Sequence, residues 1–299
     1  MPQPGLIITA DDFGMSIAVN EAVEEAHRKG VLTCASLVVA GAAAEDAVAR
    51  ARKMPGLGVG LHLALLDAPP AAAAQDIPDL VEPGGLSLRS TPAFTGAGIA
   101  MIRSVRDQAR AEMRAQFDRF ARTGLSLDHV DGHWHFHQHP TLVGMLIHDM
   151  AQTYGVSAVR TPNEPALPSW RAAGRRGLAR RLRTAIAHAP LWSTMRWRIR
   201  RAGIGTNDWF FGLNDGGAMT RERLLGAIAN LPPGVSEIGM HPASAPPGGA
   251  HALPSSWCVT EELAALIDPD VAEACKGVRL GRFSDLVAPP GSRRGQGHA

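Results

Sequence analysis

The chain has 299 residues, 45% hydrophobic, 19% charged and 5% aromatic, with a formal net charge of +2. That length holds one large α/β domain or two small ones. Cys34, Cys258 and Cys275 stand far apart without a CxxC pair, which argues against a disulfide framework or a cysteine zinc site and fits a reducing, cytoplasmic compartment. No stretch nears the ~18 apolar residues of a spanning helix. The opening MPQPGLIITADDFG lacks a basic n-region and reads as a first strand rather than a signal peptide.

In chain order, Leu6–Thr9 has a buried-strand pattern, and Ser16 caps a helix that ends at Gly30. Thr33–Val39 is the next strand, Ala43–Lys53 a helix and Gly58–Leu65 a third strand. Residues 67–98, rich in Pro, Gly and Ala, read as a long loop beside the mouth of the domain. Residues 101–122 have helical periodicity, Leu125–Val130 is strand-like, Thr141–Tyr154 helical and Ser157–Arg160 a short strand. A basic segment follows. A helix near Arg221–Asn230, a strand near Ser236–Met240, a helix near Glu261–Leu266 and a last strand at Val278–Leu280 complete the order. Strands alternating with helices imply a mostly parallel sheet, either open and doubly wound or closed as a barrel. No GxGxxG or GxxxxGK[ST] follows any strand, which counts against the phosphate-loop versions.

The densest chemical signal is DHVDGHWHFHQH, residues 128–139, which holds five of the twelve histidines. Its bland reading is a solvated histidine-rich loop. Asp11 and Asp12 in ADDFG are costly after a buried strand unless one of them binds a cation. The bland alternative is a helix-entry turn with a carboxylate near the helix N-terminus. His62 in GLHL and His241 in MHP each leave an apolar strand, a place where a lone histidine is more often a satisfied core residue. All these residues, with Asp131 and Arg160, lie toward the C-terminal ends of strands, where parallel α/β folds build sites.

In this order, ADDFG, GLHL, HVDGHWHFH and MHP, over roughly residues 5–287, the chain resembles the YdjC-like carbohydrate deacetylases, relatives of chitooligosaccharide deacetylase. Its opening and the basic insertion before DWFFGLNDGG most resemble the deacetylase associated with hopanoid biosynthesis. The resemblance implies a distorted TIM-like (β/α) barrel and a metal held by Asp12, His62 and His133. It implies Asp11 as base and His241 as acid, with Asp131 and Arg160 in supporting or substrate-orienting roles. His137, four residues after His133, stays open as an alternative ligand. Two imidazoles and one carboxylate leave coordination positions for water and substrate and suit zinc, cobalt or iron. The resemblance adds magnesium, so the expected cofactor is one divalent cation, magnesium or zinc.

The charge of +2 conceals an asymmetry. Ser169 to Arg201 carries ten arginines and no acidic residue, while the remainder carries 20 basic against 28 acidic residues. Leu178, Leu182, Ile186, Trp192, Met195 and Ile199 recur at helical spacing there, and Pro190 predicts a split into two helices. A basic amphipathic segment with tryptophan reads as a membrane-surface element. Following the Arg160 strand end, it reads as a lid or membrane-facing flap at the site mouth; the rival readings are a homodimer surface and a plain solvated cover, and no nucleic-acid motif accompanies it. The expected whole is a single barrel domain over 1–288, a helical insertion over 168–205 and a disordered tail over 289–299. Its expected substrate is an N-acetylated amino sugar, lipid-linked and met at the inner membrane face. The rival functions are a chitooligosaccharide deacetylase, a metal-dependent phosphoesterase and a non-catalytic sugar or lipid binder.

Overall fold

A computed structural model describes residues 3–246, 254 and 256–287, so the expected tail lies outside the described residues. Strand β1 (Gly5–Phe13) is buried along its whole length, as a central parallel strand must be. It leads into α1 (Ile17–Lys29), β2 (Cys34–Leu37), α2 (Ala44–Ala51) and β3 (Gly58–Leu63). Helices α3 (Pro92–Met101) and α4 (Arg103–Arg122) precede β4 (Val130–Gly132). Helix α5 (Pro140–Met145) continues through a π-helical turn, Leu146–Met150, into α6 (Ala151–Tyr154). Helices α7 (Ala166–Ala172) and α8 (Leu178–Arg201) form the basic insertion. Then come β5 (Trp209–Phe211), α9 (Arg221–Ala229), β6 (Val235–Met240), α10 (Val259–Leu266), α11 (Pro269–Cys275), β7 (Arg279–Leu280) and α12 (Phe283–Leu286).

The strands run in the order β4-β3-β2-β1-β6-β5, every pairing is parallel, and β7 lies along the start of β1. Single parallel bridges carry the path on from Val130 to Val159 and from Ala158 to Gly205, toward β5. The result is a distorted TIM-like barrel. Because strand side chains alternate between faces, each strand sorts its residues. Leu6, Ile8, Ala10, Ala35, Leu37, Val59 and Leu61 pack outward into the apolar layer under the helices. Ile7, Cys34, Ala158, Val235 and Phe283 form a separate apolar plug, which α12 closes. In the middle of the barrel Thr9 and Arg160 donate to Glu237 and Ser36 bonds to His129, and Asp131 joins the two sets through Ser36 and Arg160.

Several expectations change. The 67–98 stretch is not a plain loop: it holds a 3-10 turn at Ala74–Asp76, a Val81–Leu88 bridge and most of α3. The Ser157–Arg160 segment contributes single bridges rather than a ladder. Strand β5 adds to the expected elements. Pro190 does not split the insertion, since α8 runs unbroken past it. A proline inside a helix frees the carbonyl four residues back. Here that residue is Ile186, which is 73% exposed, so water can take up the bond. Trp192, Met195 and Ile199 bury the second half of α8 against the body.

Candidate active site

The ADDFG turn solves a geometric problem. Two successive strand residues face opposite sides, yet both Asp11 and Asp12 are buried at the barrel mouth. The β1–β2 register shifts between Ala10 and Phe13, and Asp12 has φ 63°. For a non-glycine residue that left-handed backbone costs on the order of 1–2 kcal/mol, least for Asp and Asn. Asn20 of α1 pins the turn: its Oδ1 accepts from Gly14 N at 2.8 Å, and its Nδ2 donates to Ala43 O at 2.9 Å.

Asp12, His62 and His133 converge so that one donor atom from each lies within 4.8 Å of the others. His133 Nδ1 is 3.0 Å and His62 Nε2 3.6 Å from Asp12 Oδ1. Both Asp12 oxygens are buried without a hydrogen-bond partner among the described residues. A buried carboxylate with no well-formed hydrogen bond, facing two imidazole nitrogens, is a donor set that could hold a divalent cation and leave coordination positions open. Burial alone would raise the Asp12 pKa, but His133, His62 and His241 hold it well below the usual carboxylate range.

His62 is oriented from behind. Its Nδ1 lies 2.8 Å from Asp131 Oδ1, so this nitrogen donates there and Nε2 is the ring atom left facing Asp12, where a bound cation would take the place of a proton. Burial disfavours a charged His62, yet Asp131, Asp11 and Asp12 lift its pKa to about 9. Arg160 is wholly enclosed and links three carboxylates. Its Nη1 and Nη2 donate to the two Asp11 oxygens at 2.8 and 2.9 Å, its Nη1 lies 2.7 Å from Asp131 Oδ2, and its Nε donates to Glu237 Oε1 at 2.9 Å. Asp131 is equally enclosed. Of the two roles left open for these residues, the contacts favour the supporting one: their polar atoms bond to protein partners, Arg160 to both Asp11 oxygens and Asp131 to His62.

His241 follows β6, with its Nε2 3.9 Å from Asp11 Oδ2 and its ring 4.5 Å from that of Trp257. Its backbone N–H donates to the buried Glu262. His137 falls outside the three-donor group: its Nε2 lies 3.0 Å from the Arg160 carbonyl. Burial depresses its pKa to about 4, so the ring is neutral and Nε2 is the donor. Sequence reasoning missed Ser36, Glu237, Glu262 and Trp257. Glu237 had a readable signal, a lone charge inside the apolar strand VSEIGM, the same kind of signal that marked His62.

The YdjC-like protein profile matches residues 5–277. A carbohydrate deacetylase of Geobacillus stearothermophilus is 34% identical over 285 residues, 94% of this chain and 97% of that protein. One from Brevibacillus brevis is 40% identical over 157 residues, 52% of this chain and 59% of its own length. A solved Enterococcus faecalis protein, described as a candidate cellobiose-phosphate cleavage protein, superposes with TM-score 0.67 at 23% identity, covering 95% of this chain and 99% of that one, and so shares the fold. With a family match over most of its length, the chain belongs to the YdjC-like proteins.

Proposed function

We propose that the protein is a hydrolytic carbohydrate deacetylase that depends on one divalent cation and removes acetyl from an N-acetylated amino sugar. The observation that carries this is the convergence of Asp12, His62 and His133 with a bare buried carboxylate at its centre, next to Asp11 and His241. The activity of the full-length relative from Geobacillus supports the substrate class.

A cation held by Asp12, His62 and His133 would polarise the acetamide carbonyl and acidify a water. The chain's own residues do the rest. Arg160 holds both oxygens of Asp11, which fixes the carboxylate edge that takes the proton from the attacking water. The water oxygen bonds to the carbonyl carbon. His241, across from Asp11, gives a proton to the amide nitrogen as the C–N bond breaks, because an unprotonated amide nitrogen leaves poorly. Acetate and a free amine result.

An N-acetylglucosamine unit carried on a hopanoid lipid is the finer reading. Its support is α8, where Ile186 is 73% and Trp197 59% exposed among arginines, and Arg201 stacks 5.4 Å over Trp197. Arginines near an anionic bilayer gain about 1 kcal/mol each. The test is to supply purified protein with magnesium or zinc, offer N-acetylglucosaminyl hopanoid and diacetylchitobiose, and follow acetate by mass spectrometry. Acetate should appear from wild type and not from Asp12→Ala or His133→Ala, which should also lose metal. Wild-type metal content and turnover in both variants would overturn the assignment, and release of phosphate from phosphoesters instead would move the protein to another reaction class.

A further inference from the structure

Behind His62 lies a second buried cluster that the reaction does not use. Asp131 Oδ2 accepts from Ser36 Oγ at 2.7 Å, and Ser36 Oγ lies 3.1 Å from His129 Nε2. His129 Nδ1 lies 3.1 Å from Asp128 Oδ2, and Asp128 Oδ1 accepts from Ser284 N at 3.2 Å. The donors and acceptors have one consistent assignment. The single Ser36 proton goes to Asp131, so His129 Nε2–H must donate to Ser36. His129 Nδ1 faces a carboxylate and must donate as well. His129 is therefore an imidazolium, and a directed chain runs Asp128–His129–Ser36–Asp131–His62.

Strand β3 is shaped around this chain. Gly58, Gly60 and His62 share its inward face. A Cβ at Gly60 would lie 2.4 Å from His129 Nε2, and one at Gly58 2.8 Å from Asp128 Oδ2. Both glycines have ordinary φ, so the missing side chain provides room rather than backbone freedom. The His129 ring is clamped from the other side by Phe283, stacked at 4.4 Å and 20°. A side chain needed only to fill space would not require two glycines on one face.

We propose that Asp128, His129 and Ser36 are positioning residues: they lock Asp131, and through it the rotamer and tautomer of His62, and so set the affinity of the site for a divalent cation. This rests on the reading of His62 as a metal ligand. Outer-shell partners of metal-bound histidines characteristically change affinity by about 10–100-fold.

The experiment titrates Zn2+ against a chromophoric chelator and records the visible spectrum of the Co2+-loaded protein. It compares wild type with Ser36→Ala, Ser36→Thr, His129→Gln and Gly60→Ala. Ser36→Ala, His129→Gln and Gly60→Ala should weaken Zn2+ binding about 10-fold or more and shift the Co2+ bands. Ser36→Thr, which keeps the hydroxyl, should recover much of the loss. Folded Ser36→Ala and His129→Gln proteins with wild-type affinity and spectrum would overturn the relay. If those variants do not fold, the isosteric Asp128→Asn probes the relay from the far end of the chain, and wild-type affinity and spectrum there overturn it equally. A wild type that binds neither ion would instead overturn the metal site itself, so the two failures are told apart.

Discussion

The barrel interior and helix α8 are both crowded with charge, and they handle it in opposite ways. Inside the barrel Arg160 touches Asp11, Asp131 and Glu237, and its guanidinium also lies 5.0 Å over the Phe210 ring. On α8 only Arg181 is treated in this way, wholly buried and paired with Glu164 at 3.0 Å and Asp215 at 2.7 Å. Others, such as Arg200 with the part-exposed Asp208, make contacts that water screens. Charge in the dry interior has to be matched atom by atom and so fixes geometry, whereas charge on α8 is free to meet something outside the molecule. The same residue type thus builds a buried ion-pair frame in one place and an outward-facing surface in the other.

The sharpest way to break the comparison is at Asp11. Asp11→Asn keeps the shape but removes the proposed base, and acetate release should fall by about 10²–10⁴-fold. Metal content should hold, because Asp11 is not part of the Asp12, His62 and His133 group and both of its oxygens are already taken by Arg160. Loss of metal along with turnover would make Asp11 a ligand. Next comes the frame itself. Arg160→Met leaves three buried carboxylates without their cation, and chemical denaturation should show a loss of about 3–5 kcal/mol. An exposed α8 arginine such as Arg183 replaced by Met should fall within about 0.5 kcal/mol of wild type. Equal losses at the two sites would erase the distinction between them.

A smaller effect, readable through pH, comes from His129. Burial disfavours its charged form, but the Asp128 hydrogen bond and the charges of Asp131, Asp128 and Glu237 outweigh this and raise its pKa above the ordinary 6.5. Cys34 also faces this cluster, its thiol 3.5 Å from Asp128 and its pKa pushed well up by burial, so it stays neutral. A folded pKa raised above the unfolded one stabilises fully below about pH 6.5, and the gain is lost as pH climbs through the raised value. The melting-temperature gap between wild type and His129→Gln should therefore be widest in mild acid and narrow toward alkaline pH. A gap that widens instead would mean that the ring is buried neutral.

Much of the interior was legible because strand alternation and charge placement coincide. His62, Asp131, Asp11 and Arg160 each break an apolar strand or end one, and a parallel barrel brings strand ends together whatever the intervening sequence. What stayed hidden was pairing across the barrel. Ser36 in CASL and Gly60 in GLHL are ordinary residue types for strands of this kind. Their meaning comes from His129, about 70–90 residues away in the chain, which needs the hydroxyl of one and the empty face of the other. The choice between a supporting and a substrate-orienting role for Asp131 and Arg160 stayed open for the same reason, since sequence showed that they sat near the mouth but not that their polar atoms were already taken. Pro190 erred in the other direction: a local rule predicted a break, and exposure of the freed carbonyl together with burial of Trp192, Met195 and Ile199 overrode it.

The smallest expected effect lies on α8 and tests its side of the comparison. If its charge is aimed at an anionic surface, the protein should float with vesicles containing anionic lipid and not with neutral ones. Replacing Arg183 and Arg201 with Gln should weaken that association by about 1 kcal/mol per residue, roughly fivefold each. Trp197→Ala should weaken it further, since Trp197 is exposed and the ring lies under Arg201. Deacetylation of soluble diacetylchitobiose should not change in any of these variants, because none of the three side chains belongs to the site. Flotation that is insensitive to these substitutions, or lost only together with activity on the soluble sugar, would reduce α8 to a solvated cover and leave the barrel to find its substrate unaided.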